Sequence, residues 1–196
     1  MQFVTNDLPA TTPQEHAMSL SKLTPGTWNI DASHSSVAFV ARHLVVSKVR
    51  GRFDAFEGAI TIAEDPLQSK VDATIQVGSI NTSDEGRDGH LKSPDFFDAE
   101  QFPTITFTTT SVAAKGSDYV VTGDLTIKGN TKPVELELEF GGVEADPWGG
   151  TRAGFSAETE INRKDWGLEW NMVLETGGVM VGEKIKIQLE IEAVKA

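Results

Sequence analysis

The 196-residue sequence predicts an all-β fold, an antiparallel sheet of about eight strands accompanied by one or two short helices. Three observations carry this. Apolar and polar residues alternate with period two in one segment after another from Trp28 onward, the pattern of half-buried strands. Turn residues separate these segments, and only the span from Ser83 to Asp98 has helical features. A sheet with one apolar face must cover that face, either by closing into a barrel, which also removes its edges, or by folding into a two-sheet sandwich. Periodicity alone does not separate these two.

Residues 1–25 are rich in Thr, Pro, Gln and Asn and end at Pro25-Gly26, which reads as a flexible N-terminal arm ahead of a domain spanning 26–196. His16 falls in the arm and is set aside. In the first strands Val37, Phe39 and Ala41 share a face. In VRGRFDAFEGAITI the apolar positions slip from odd (Val49, Phe53) to even (Phe56, Ile60, Ile62), which predicts a bulge near Asp54-Ala55. Val71, Ala73, Ile75 and Val77 form the next apolar face. Ser93-Pro94 reads as an N-cap followed by Pro at the first helical position, and Gly86, Gly89 and Pro94 divide the region into two short turns. Leu91, Phe96 and Phe97 would then plug one end of the sheet.

Further on, Ile105 and Phe107 alternate with threonines, and Tyr119, Val121, Leu125 and Ile127 fall on one face. The segment KGNT has hairpin-turn chemistry. In VELELEF, Val134, Leu136, Leu138 and Phe140 oppose three glutamates; Phe155, Ala157 and Ile161 follow, and the C-terminal KIKIQLEIE repeats the pattern.

Composition excludes several classes of function. The absence of cysteine removes disulfides, thiolate nucleophiles, iron–sulfur clusters and cysteine-bound zinc. A net charge of −12 disfavours nucleic acid and anionic lipid surfaces. No segment approaches the ~20 apolar residues that cross a bilayer, and no basic stretch leads into an apolar one, so the expectation is a cytoplasmic protein that does not span a membrane.

Candidate chemistry is sparse. His34, His43 and His90, with neighbouring carboxylates, could supply a two-histidine, one-carboxylate metal site, which would suit a metal-dependent enzyme acting on a small molecule. Strand parity turns His34 and His43 to opposite faces, so the plainer reading is histidines hydrogen-bonded at strand ends. Neither a nucleophile elbow nor a phosphate loop is present. INRKDWGLEWN clusters Arg163, Lys164, Asp165, Trp166 and Trp170; it reads as a polar loop pinned by its tryptophans, or as a mouth where a head group or partner sits. Arg42, Lys48, Arg50 and Arg52 form the densest basic group, on an outward solvated face or at a mouth. The inward face carries large apolar residues interspersed with alanines, and an eight-stranded barrel can be filled or hold one small ligand.

The segments WNIDASHSSVAFVARHLVVSKVRGRFDAFEG, INTSDEGRDGHLKSPDFFDAEQFPTITFTTTSV, GDLTIKGNTKPVELELEF, AGFSAETEINRKDWGL and VGEKIKIQLEIEAVKA run in order over nearly all of Trp28 to Lys195. In these the chain closely resembles the YceI-like family of polyisoprenoid-binding domains. The resemblance implies an extended, lipocalin-like, eight-stranded antiparallel β-barrel. Its elongated apolar cavity would hold an isoprenoid lipid, either a polyprenyl phosphate or an isoprenoid quinone. It implies further a non-enzymatic binding, transport or storage role, no cofactor, and a homodimer. Parity together with the resemblance assigns Phe39, Ala41, Val49, Phe53, Ile75, Phe107, Leu136, Leu138 and Phe155 to the cavity lining, with His43 as a polar contact within it or at its end. A forty-carbon chain would release about 30 kcal/mol at ~0.8 kcal/mol per methylene, beyond the range where affinities saturate, so part of it must protrude or ordering must offset the gain. A ligand-free interaction barrel is the remaining alternative, and it requires a filled interior.

Overall fold

The computed structural model describes residues 23–44, 46–147, 149–173 and 180–196. Eleven strand segments form one continuous antiparallel sheet: β1 (Gly26–Ile30), β2 (Ser36–His43), β3 (Ser47–Phe53), β4 (Phe56–Ile62), β5 (Lys70–Gln76), β6 (Ile80–Asn81), β7 (Thr104–Lys115), β8 (Asp118–Ile127), β9 (Asn130–Ala145), β10 (Thr151–Asn162) and β11 (Val181–Lys195). They amount to eight staves. β1 and β2 lie end to end along β11, with Ile30 opposite Ala193 and Ser36 opposite Glu190. Likewise β4 continues β3 beside them, and β6 continues β5. The staves follow chain order, and β11 closes the ring onto β1 and β2. The structure is therefore a closed eight-stranded barrel, which settles the choice between barrel and sandwich.

The three composite staves are each interrupted. Asp31–Ser35 loops out of the first and is tied back by the Asp31 N–H and the Ser35 hydroxyl, both donating to the Glu192 carbonyl. The second breaks at Asp54-Ala55, where the sequence slips parity. Facing it, the third is broken by the 3-10 turn Val77–Ser79; Asp54 N–H donates to Ser79 O at 3.1 Å and Gln76 N–H to Ala55 O at 2.9 Å. Backbone groups freed by the breaks thus satisfy one another, as burial requires.

A bulge between Thr109 and Ser111 moves the inward set of β7 from odd to even positions, so that Val112 faces in. Lys128 (φ 49°) and Gly129 (φ 73°) make the two-residue β8–β9 turn, both left-handed as a type I′ hairpin demands.

The single α-helix among the described residues, α1 (Glu85–Lys92), has its N-cap nine residues earlier than the sequence reading placed it. Asp84 is the N-cap and accepts the Arg87 N–H at 2.9 Å. Acidic Glu85 and Asp88 in the first turn and His90 and Lys92 in the last suit the helix dipole. Ser93 is the C-cap, because Pro94 holds the residue before it in extended backbone and so ends the helix. Gly86 and Gly89 lie inside the helix and do not divide it. Most of the predicted arm, residues 1–22, lies outside the described residues. Its last part is packed: Leu23 is buried beside Trp28, whose Nε1 donates to Thr24 O at 3.1 Å.

Candidate functional site

Inward parity makes the site. A single apolar cavity of about 300 Å³ runs through the barrel, from Leu23 and Ile191 at one end to Leu168 and Val181 at the other. On β11 the lining runs from Val181 to Ile191, roughly 33 Å of strand at ~3.3 Å per residue, or about 25 Å along the axis at ordinary barrel tilt. Such a volume spread over such a length is a tube about one hydrocarbon chain wide.

Glycines permit the aromatic part of the wall. A Cβ at Gly51 would overlap the Phe39 ring, its direct cross-strand partner, and one at Gly123 would overlap the Phe107 ring. Both rings pack against the glycine of a neighbouring strand. The end nearest Val181 is covered by α1 and the segment following it: Leu91, Phe96 and Phe97 reach the cavity, as expected of an end plug. Phe96 packs at a tilt against Trp170 with ring centroids 5.2 Å apart, and Trp170 meets His90 edge to face at 4.7 Å. The loop after β10 is pinned by Trp166, which is buried and donates from Nε1 to Leu125 O at 2.9 Å.

Of the residues assigned from sequence, Phe39, Ala41, Phe53, Ile75, Phe107, Leu136, Leu138 and Phe155 all line the cavity. Val49 and His43 do not. Ala41 pairs with Ile185, but the next rung joins His43 to Val181, so β11 carries two extra residues there. At that bulge His43 lies opposite Val181, the last lining residue of β11, and Val49 lies opposite Ala41, yet neither side chain joins the wall. Arg42, Lys48, Arg50 and Arg52 are all exposed, and Arg52 pairs with Asp54 at 2.5 Å.

The three histidines are not brought together. His34 bonds Asp31 at 2.9 Å, and His90 bonds Asp95 at 2.9 Å on α1's side of the barrel. His43 sits at the far end of β2, whose eight residues span about 25 Å. One cluster of possible ligands, Asp31, His34 and Glu192, does converge. A cation already occupies it: Arg152 Nη1 donates to Asp31 at 2.8 Å and to Glu192, and its Nε donates to Asp146 at 3.0 Å. Hydrogen bonds from Ser33, Arg152 and His34 hold the Asp31 carboxyl well below the usual carboxylate range.

Sequence reasoning did not place Arg163 in the lining. It is the one charged side chain there among the described residues, and it exposes 3% of its surface. The signal was present: Phe155, Ala157, Thr159 and Ile161 face inward, and the same parity reaches Arg163. Its Nε donates to Gly182 O at 3.0 Å and its Nη1 to Leu168 O, while Nη2 is buried without a hydrogen-bond partner. Burial pushes the guanidinium pKa down, partly offset by the Glu183 carboxylate. Thr159, Ser69 and the Tyr119 phenol are the other polar groups of the wall.

Comparison with known proteins agrees with this architecture. A solved Burkholderia cenocepacia protein, BcnA, superposes with a TM-score of 0.73 at 24% identity, over 83% of this chain and 98% of that one. A Saccharophagus degradans domain described as polyisoprenoid-binding superposes with a TM-score of 0.67 at 17% identity, over 88% of this chain and all of that one. At these identities the likeness is one of fold. In sequence, the UPF0312 protein SAS2572 of Staphylococcus aureus is 44% identical over 167 residues, 84% of this chain and 95% of its own length. Residues 28–193 match the model of the YceI-like domain. The chain belongs to the YceI-like domain family.

Proposed function

We propose that the protein binds an isoprenoid lipid in the barrel and carries or stores it without chemical change. The observation that carries this reading is the cavity's form: long, one chain wide and almost wholly apolar, with no constellation of catalytic groups among the described residues. A linear chain fits such a tube, whereas a compact ligand of equal volume does not. The binding described for the Saccharophagus degradans domain supports an isoprenoid over other linear chains. In this reading the lipid is cargo and no cofactor is needed. A ligand-free interaction barrel would instead have filled the lumen with side chains.

Organic extraction of the purified, folded protein followed by mass spectrometry tests the proposal. A stoichiometric prenyl lipid is expected, and a reproducibly empty extract from protein that also takes up no added prenyl chain would refute it. Ala157→Trp, which projects an indole into the tube between Leu138 and Leu189, should leave the fold intact and reduce uptake at least tenfold. Normal uptake by that variant would remove Ala157 from the site.

The expected homodimer and cytoplasmic location belong to the same proposal. Val46, Met172 and Val173 are exposed apolar side chains, and their segments are joined by the bonds from Leu44 N–H to Met180 O and from Met180 N–H to Met172 O. They give a second copy an apolar surface to cover; light scattering of the full chain tests the dimer, and fractionation the location.

A further inference from the structure

Resting on the reading of the barrel as a lipid carrier, we propose that Arg163 is its head-group anchor. Its Nη2 would donate to an oxyanion, phosphate or carboxylate, of a single-chain lipid whose tail runs from this end toward Leu23.

The argument begins with what Arg163 lacks. A guanidinium carries five N–H donors and stays protonated in proteins. Here two nitrogens bond neutral backbone carbonyls, of Gly182 and Leu168, and the third, Nη2, has no partner although it is buried. The Glu183 carboxylate acts on it from a distance and is itself held by Lys164 Nζ at 2.5 Å. The result is a buried cation without a hydrogen-bonded anion, an arrangement that native interiors avoid because burying an unpaired charge is costly.

An anionic oxygen entering the cavity resolves both deficits at once, giving Nη2 an acceptor and the charge a counter-charge. A neutral carbonyl or alcohol would answer only the first. The location fixes direction as well. Arg163 stands where β10 ends, beside Leu168 and Val181, while the opposite end offers only the neutral Ser69 and Tyr119. Because the molecule as a whole carries −12, its distant field repels anions, and selectivity for an anionic head must come from this one local charge.

The test uses the full chain stripped of lipid and three chain-matched probes: farnesyl phosphate, farnesoic acid and farnesol. Wild type is expected to bind the two anions at least tenfold more tightly than the alcohol, the scale of a charge-assisted hydrogen bond. The ratio of phosphate to carboxylate affinity identifies which head the site prefers. Arg163→Met should lose the preference for anions and bind all three probes about equally. Because Arg163 also ties down two backbone carbonyls, a measurement that needs no variant accompanies this: the Arg163 Nη2 protons, followed by NMR in wild type, should shift on adding farnesyl phosphate, and further than they do with farnesol.

Equal binding of all three probes by wild type, or unmoved Nη2 protons, would overturn the anchor and leave the carrier reading standing. So would a folded Arg163→Met that binds none of the probes, since that assigns the residue a structural role. Failure of wild type to bind any probe would overturn the carrier reading itself, and the anchor with it.

Discussion

At the scale of single residues, the wall of the tube depends on what is missing from it. Gly51 and Gly123 have no side chain to lift the rings of Phe39 and Phe107 off the backbone. Gly123→Ala should therefore lower stability by about 1–3 kcal/mol, the usual cost of overpacking, read as a lower urea midpoint at unchanged slope. The Asp31–Arg152 cluster makes a different prediction. The folded pKa of Asp31 is depressed, so its contribution to stability is complete above the unfolded carboxylate value of about 3.9 and is lost as pH falls through the lower folded value. Arg152→Ala should show a lower urea midpoint at pH 7 and a shallower loss of stability on acidification below about pH 4. An unchanged acid limb would assign that limb to other carboxylates.

Elements were legible where their period was long and uninterrupted. VELELEF and KIKIQLEIE declare the inward faces of β9 and β11 because nothing breaks the alternation, and eight of the ten residues assigned to the site from parity line the cavity. The failures have local causes. Val49 and His43 share Ala41's parity but lie at the cavity's end; a bulge in β11 shifts the register opposite His43, and a bulge in one strand is invisible in the sequence of its neighbour. Arg163 was read as part of a polar loop or mouth and not as lining, for the opposite reason: parity carried through Ile161 into that loop, where inward direction was not considered. Ser93-Pro94 is ambiguous in kind, since a Ser before Pro can open one helix or close another, and Asp84 with two further acidic residues in the first turn decided the matter. Replacing that cap, Asp84→Ala, should cost about 1 kcal/mol in thermal or chemical unfolding, with the helix rather than the barrel as the first part to fray.

Taken as a whole, the molecule is a hollow closed sheet whose interior is lined by residues that in most barrels of this size would meet across the centre. On the proposed carrier reading, removing bound lipid would expose that lining to water or leave it without contacts, and either is unfavourable. The stripped protein should melt at a lower temperature, and added prenyl lipid should restore it in a concentration-dependent way, by about 2.7 kcal/mol at a hundredfold excess over Kd. A melting temperature indifferent to lipid would mean that the lumen closes on its own. The five staves from β7 to β11 are single elements, whereas the three before them are creased at Asp31–Ser35, Asp54-Ala55 and Val77–Ser79, side by side. The creases form a pleat across three of the eight staves, held by a few scattered bonds in place of a ladder. Bonds that stand alone open more readily than those in a ladder, so amide exchange should be faster along that pleat than along the unbroken staves β7 to β11.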